Sequence, residues 1–140
     1  MTDVRLYQTP DGGEISVANG VAELEDGLQS AAYLSLFGGN EEDSGGDEGE
    51  EKEWWGNTLE RDPARALRSR FQHAVQASPL LPTNLPTFED AARADLEWMV
   101  GTLADAVDAT ASLPAINTLT LSVGIVVEGN RYPFDFVQSR

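Results

Sequence analysis

The stretch 118–127, TLTLSVGIVV, sets Leu119, Leu121, Val123, Ile125 and Val127 at every second position, with Thr118, Thr120, Ser122, Gly124 and Val126 between them. Side chains alternate between the two faces of a strand, so this period of two predicts a strand with one buried face. Further on, Gly129-Asn130 is a hairpin-type pair, and Tyr132, Phe134 and Phe136 alternate with Arg131, Pro133 and Asp135. Pro133 has no backbone N–H, which puts this last strand at a sheet edge or turns its non-bonding side to the edge. At the other end, Pro10-Asp11-Gly12-Gly13 is a turn signal, and Asn19-Gly20 joins 15–18 to 21–24 as a type I′ hairpin.

Between these strands the period changes. In 26–37, Leu28, Ala31, Ala32, Ser35 and Leu36 fall at helical spacing after Asp26 as N-cap, and Tyr33 and Phe37 widen the apolar surface. Such a helix is buried on more than one side, in the core or under a partner. A second helix is expected from Ala64 to Ala77, capped by Asp62 with Pro63 at its first position. A third is expected to start at Thr87, carry the stripe Phe88, Ala92, Leu96, Met99, Leu103 and Ala106 or Val107, and fade near 109–112 before Pro114. Strands, then helices, then strands make an α+β domain: a mostly antiparallel sheet from N- and C-terminal hairpins, packed with about three helices.

The chain has 140 residues, no Cys and a formal net charge of -15. That length suits one domain, here expected to span 1–140. Without Cys, disulfides and thiolate zinc sites are excluded. No stretch approaches the ~20 apolar residues of a membrane span, and the N-terminus lacks the blocks of a signal peptide. Residues 41–53 hold eight acids and one Lys, so about half of the excess charge sits in one segment. That segment has no periodicity, and 40–53 reads as a disordered acidic surface insertion. An acidic chain is repelled by phosphate backbones, so no nucleic acid partner is expected.

Catalytic chemistry finds little footing. The single His, His73, lies in the second helix, and no Ser stands in a nucleophile elbow. Glu14, Glu23, Asp95 and Glu97 fall in no motif, and surface solubility accounts for them. Residues 40–51 match the EF-hand spacing with Gly45 at position 6 and Glu51 at position 12, but Asn40 and Glu42 replace the usual Asp ligands and no helix clearly follows. Neither a catalytic residue, a metal site nor a cofactor is therefore expected. Interaction residues are better candidates. Adjacent Trp54 and Trp55 are either one core residue and its cover or an interface anchor. Arg61, Arg65 and Arg68 form a basic stripe that meets either the chain's own acidic segment or an acidic partner.

The string 33–40, YLSLFGGN, then an acidic gap, then Trp54-Trp55-Gly56-Asn57, resembles the small baseplate protein family of Mu-like contractile-tailed phages and prophages. The opening Asp3-Val4-Arg5-Leu6-Tyr7, the turn Asp11-Gly12-Gly13-Glu14-Ile15 and the helix with Glu89-Asp90-Ala91, Asp95-Leu96 and Trp98 fit the same pattern, in the same order. That family is similar in turn to the wedge, or sheath-initiator, proteins of contractile tails. The resemblance implies a non-enzymatic structural component of the virion tail baseplate, assembled in the bacterial host cytoplasm, in several copies and by this resemblance six. It would join the wedge proteins' core bundle to the first sheath ring, with wedge, sheath or hub proteins as partners. The relatives' Gly-Glu-Arg turn and Pro-aromatic-Gly element are replaced here by Gly38-Gly39-Asn40 and Trp54-Trp55-Gly56-Asn57, so their charged contact does not carry over. The candidate partner-binding residues, chosen by exposed-aromatic and charge logic, are Leu36, Phe37, Trp54, Trp55, Gly56, Asn57, Arg61, Arg65, Arg68, Phe134 and Phe136. The alternatives are a tail-associated, lysozyme-like peptidoglycan-degrading enzyme and a calcium-responsive adaptor.

Overall fold

Residues 3–25 fold as three short ladders that meet at one point. The computed structural model describes residues 3–9, 12–25, 27–38, 59, 61–62 and 69–139. Strand β1 (Asp3–Val4) pairs antiparallel with β6 (Leu24–Glu25), β2 (Leu6–Thr9) with β3 (Gly12–Ile15), and β4 (Val17–Ala18) with β5 (Val21–Ala22). Where they meet, a ring of backbone bonds closes: the Arg5 N–H donates to the Glu23 carbonyl (2.9 Å), the Ser16 N–H to Arg5 (2.9 Å) and the Glu23 N–H to Ser16 (2.8 Å). The side chains of these three residues also meet, Glu23 accepting from the Ser16 hydroxyl and pairing with Arg5 at 3.9 Å. Strand alternation then puts Val4, Leu6, Ile15, Val17, Ala22 and Leu24 on the opposite side. The expected Asn19-Gly20 turn is present, with φ of 52° and 77°, the left-handed pair that a type I′ turn needs.

Helix α1 (Leu28–Phe37) follows Gly27, whose φ of 83° occupies the N-cap position; the expected cap, Asp26, lies outside the described residues. Leu28, Ala32 and Leu36 are buried as the spacing predicts, and the wide apolar surface of this helix faces the chain's own core. Two buried serines tie it down. The Ser30 hydroxyl donates to the Val4 carbonyl (2.8 Å) and accepts from the Leu6 N–H (3.2 Å), docking the ladders on α1. The Ser35 hydroxyl donates to the Ala31 carbonyl and accepts from the Trp98 indole (2.8 Å).

Helix α2 (Arg70–Ala77) is the described C-terminal part of the expected 64–77 helix. Ser69 stands outside it with φ -78° and ψ 66°, and residues 63–68 lie outside the described residues. Asp95, expected at the surface, is in fact fully buried. Its carboxylate accepts the N–H groups of Arg70 (3.0 Å) and Phe71 (2.9 Å), donors that an uninterrupted helix would give to carbonyls four residues earlier. Thus a residue of the next long helix caps α2 from a distance, and the Arg70 guanidinium stands 3.7 Å from the same carboxylate.

Helix α3 (Leu85–Leu96) begins before the expected Thr87, led in by a single 3-10 turn at Pro82–Asn84 with Pro86 in its first turn. Phe88, Ala92, Leu96 and Met99 are buried as expected, but the stripe stops there. A 3-10 turn at Glu97–Met99 leads to Gly101, whose φ of 83° ends the helical run, and Leu103 falls in the following turn. Ala106 and Val107 open a strand instead, β7 (Ala106–Ala115), which pairs with β8 (Thr118–Val127). An extra residue at Leu113-Pro114 bulges β7, and Pro114, having no N–H to donate, is tolerated there. β8 pairs in turn with β9 (Asn130–Ser139), so the order is β7-β8-β9, all antiparallel. The last turn is Glu128-Gly129, φ 51° and 78°, one residue earlier than expected, and Asn130 pairs with Val127.

The chain is therefore an α+β fold with a mostly antiparallel strand content. Leu119, Leu121, Val123 and Ile125 of β8 and Phe136 of β9 are buried with Phe71, Phe88, Leu96 and Met99 of the helical layer. Burying each such side chain contributes about 1.5–3 kcal/mol. Phe37 joins α1, α2 and β9: its ring is edge-on to Phe71 (5.7 Å) and Phe136 (5.8 Å) and 5.3 Å from Tyr33. Removing the buried cap is the sharpest test of this packing. Asp95→Ala is expected to cost about 2–3 kcal/mol in urea unfolding, because the buried Phe71 N–H and the part-buried Arg70 N–H lose that acceptor. Asp95→Asn, which keeps an acceptor, is expected to cost less.

Candidate functional site

A three-stranded sheet has two edges, and an edge strand exposes a row of peptide groups able to bond another chain. On β7, α3 takes one carbonyl and one N–H of this row. The Arg93 guanidinium donates to the Ala109 carbonyl (3.2 Å) and the Glu89 carboxylate accepts the Ala111 N–H (3.0 Å). Glu89 and Arg93 are also 3.7 Å apart, the i,i+4 pair legible in the sequence, but their contact with β7 was not legible there.

On β9 the closure is partial. The two-residue turn makes Val127 and Asn130 a hydrogen-bonded pair, and bonding to β8 then alternates, so Arg131, Pro133, Asp135, Val137 and Ser139 turn their peptide groups outward. Val137 shows this parity directly: its N–H donates to the Gln8 side-chain oxygen (2.7 Å), while the Gln8 amide nitrogen donates to the Val137 carbonyl. Pro133 sits at an outward position, so its missing N–H costs the ladder nothing, as the sequence reading required. Between Pro133 and the Gln8 contact lies Asp135, and beyond Pro133 lies Arg131. Among the described residues no hydrogen bond reaches the outward peptide groups of Arg131 or Asp135. This stretch of β9 is the candidate site.

Its outer face is shaped by a glycine. The Arg131 guanidinium lies across Gly124, where a Cβ would collide with it, and reaches Asp108 on β7 through bonds of 2.9 and 3.3 Å. An ion pair thus spans all three strands beside the open edge. A second exposed feature is apolar: Ile15, Val17 and Leu24 share the side of the N-terminal ladders on which Val4 and Leu6 meet α1, yet they are more than half exposed.

The candidate partner-binding residues divide into three groups. Leu36 and Phe136 are core residues, 0% and 2% exposed; their apolar side chains are consumed by the fold, which corrects the expectation that they meet a partner. Phe37 and Phe134 are half-buried, Phe37 within the aromatic cluster and Phe134 against the core. Arg61 is exposed at a bend. Trp54, Trp55, Gly56, Asn57, Arg65 and Arg68 lie outside the described residues, as do the acidic segment 40–53 and its EF-hand-like spacing. Residues that sequence reasoning missed are Gln8, Asp108, Arg131 and Asp135, since edge closure depends on contacts far apart in the chain. The signal available was Pro133. No protein-family model, no curated protein and no solved structure matches the chain.

Two phenols near these features titrate above their ordinary value of 10.0: Tyr33 because burial disfavours its anion, and Tyr7 chiefly because it donates to the Glu14 carboxylate at 3.1 Å, whose charge adds to the effect. A pKa raised on folding gives stability that is complete below the unfolded value and is lost as pH rises through the folded one. Denaturant midpoints are therefore expected to fall as pH rises above the ordinary tyrosine range of about 10, and to fall less steeply in Tyr33→Phe than in the parent chain.

Proposed function

We propose that this protein is a structural component of a contractile phage or prophage tail baseplate, linking the wedge core bundle to the first sheath ring. The observation that carries the reading is the open β9 edge at Arg131–Asp135, on a sheet whose other edge is flanked by α3. An extended arm of a neighbouring subunit can add there as a fourth strand, its backbone giving affinity and its alternate side chains specificity. The strings YLSLFGGN and Trp54-Trp55-Gly56-Asn57 supply the family side of the argument. The exposed Ile15, Val17 and Leu24 offer a separate apolar contact for the wedge side. Helix α1, whose apolar surface is covered by the chain itself, does not serve as that contact. The role requires no catalysis, cofactor or metal; it requires several copies in one assembly.

Co-expression with the products of the neighbouring genes, followed by chromatography with light scattering, tests the proposal. A stable complex with a larger neighbour is expected. Asp135→Pro removes one outward N–H without touching the β8 ladder, and is expected to weaken that complex at least about tenfold while leaving the fold intact. A chain that stays alone with every neighbour, or a complex indifferent to Asp135→Pro, refutes the edge-binding role.

A further inference from the structure

The Gln8 contact takes both peptide groups of one residue with one side chain. A primary amide carries one acceptor and one donor in the geometry of a peptide group, and Gln8 uses both on a single residue, Val137. It imitates one residue of a neighbouring strand. Residues 8 and 137 are 129 apart in sequence, and both lie near the surface. We propose that Gln8 is a guard: its amide occupies the pairing site at Val137 and so prevents the β9 edge of one molecule from laddering with the β9 edge of a second copy.

The committed occupant follows from the register. Identical antiparallel edges are self-complementary about a two-fold axis, which makes a second copy the partner most readily met at high protein concentration. The outward residues are Arg131, Pro133, Asp135, Val137 and Ser139. Two-fold registers centred on Phe134, Asp135, Phe136, Val137 or Gln138 all require the peptide groups of Val137. The registers that avoid Val137 are centred on Pro133 or Tyr132. They set Pro133 against its own copy or against Arg131, where the missing proline N–H leaves the centre of the ladder short of donors. One occupied residue and one proline therefore leave each extended self-pairing register short of hydrogen bonds. Asp135 and Arg131 remain open to a strand that is not a copy of β9. The guard stands on this geometry alone, independently of the baseplate reading.

Amide exchange and light scattering on the full chain decide it. In the parent chain the Val137 amide is expected to exchange at least about tenfold more slowly than that of Asp135, and the mass to stay monomeric at high concentration. Gln8→Ala is expected to bring Val137 to the rate of Asp135 and to produce a dimer, most clearly near 1 M salt, where screening to roughly 3 Å suppresses repulsion between acidic chains. Gln8→Glu still accepts the Val137 N–H and is expected to stay monomeric. Adding Asp135→Pro to Gln8→Ala is expected to restore the monomer. A parent chain that is already dimeric, a Val137 amide as fast as Asp135 in the parent chain, or a Gln8→Ala chain that exchanges freely yet stays monomeric overturns the proposal. Should Gln8→Ala fail to fold, Gln8→Ser, too short to reach Val137 but still polar, takes its place: a dimer is expected, and a folded monomer with a fast Val137 amide overturns the proposal.

Discussion

The Glu89 carboxylate and the Arg93 guanidinium hold α3 along the outer edge of β7, taking the Ala111 N–H and the Ala109 carbonyl that a further strand would take. With a helix tied to that edge, the helical layer is fixed over one face of the sheet, and Phe88, Ala92 and Leu96 are buried in the core they share. The same helix positions its neighbour. Asp95 lies two residues beyond Arg93, so when the guanidinium meets β7 the carboxylate is delivered to the first N–H groups of α2. One helix thus satisfies the peptide groups of two other elements through polar side chains, and the positions of α2 and β7 are not independent.

The N-terminal ladders work by a different principle. Three hairpin-like arms too short to be stable alone share a ring of backbone bonds at Arg5, Ser16 and Glu23. The unit gains its hold on the rest of the fold through Ser30, buried on α1, and Gln8, at the surface of β9. Polar atoms again substitute for strand pairing. The apolar residues of these arms are divided: Val4 and Leu6 are half-buried beside α1, whereas Ile15, Val17 and Leu24 extend past it into solvent.

What the sequence made legible follows from the range of each interaction. β8 and β9 are read from a period of two written in large apolar residues, and the Asn19-Gly20 turn from chemistry confined to two positions. β7 was read as the end of a helix because its buried alternation rests on Ala109 and Ala111, which are small and favour helices when nothing opposes them. Pairing with β8 overrides that preference, as tertiary context does for strands in general. Gly101 marked the boundary, but a glycine in a helical pattern has two readings, a weak point or an end, and φ decides between them. Asp95 and Gln8 carried no local signal, since the meaning of each lies in a backbone group far away in sequence. Of the candidate partner residues, Leu36 and Phe136 show the ambiguity of apolar patterning: the same large side chain suits a core and an interface, and here the core takes it.

The two edges differ in what it takes to open them. At β7 the bonds from Glu89 and Arg93 belong to a helix whose opposite side is in the core, so exposing that edge means lifting Phe88, Ala92 and Leu96 from it, at about 1.5–3 kcal/mol for each large side chain. At β9 the closure is a single amide on a small surface-lying unit, and releasing it costs two hydrogen bonds, each worth roughly 0.5–1.5 kcal/mol net, which water replaces. Detaching α3 from β7 therefore involves the core, whereas detaching Gln8 from β9 involves two hydrogen bonds alone. The asymmetry gives the sheet a direction: new backbone contacts form on the side of β9, beginning at Arg131 and Asp135, where the peptide groups already face outward.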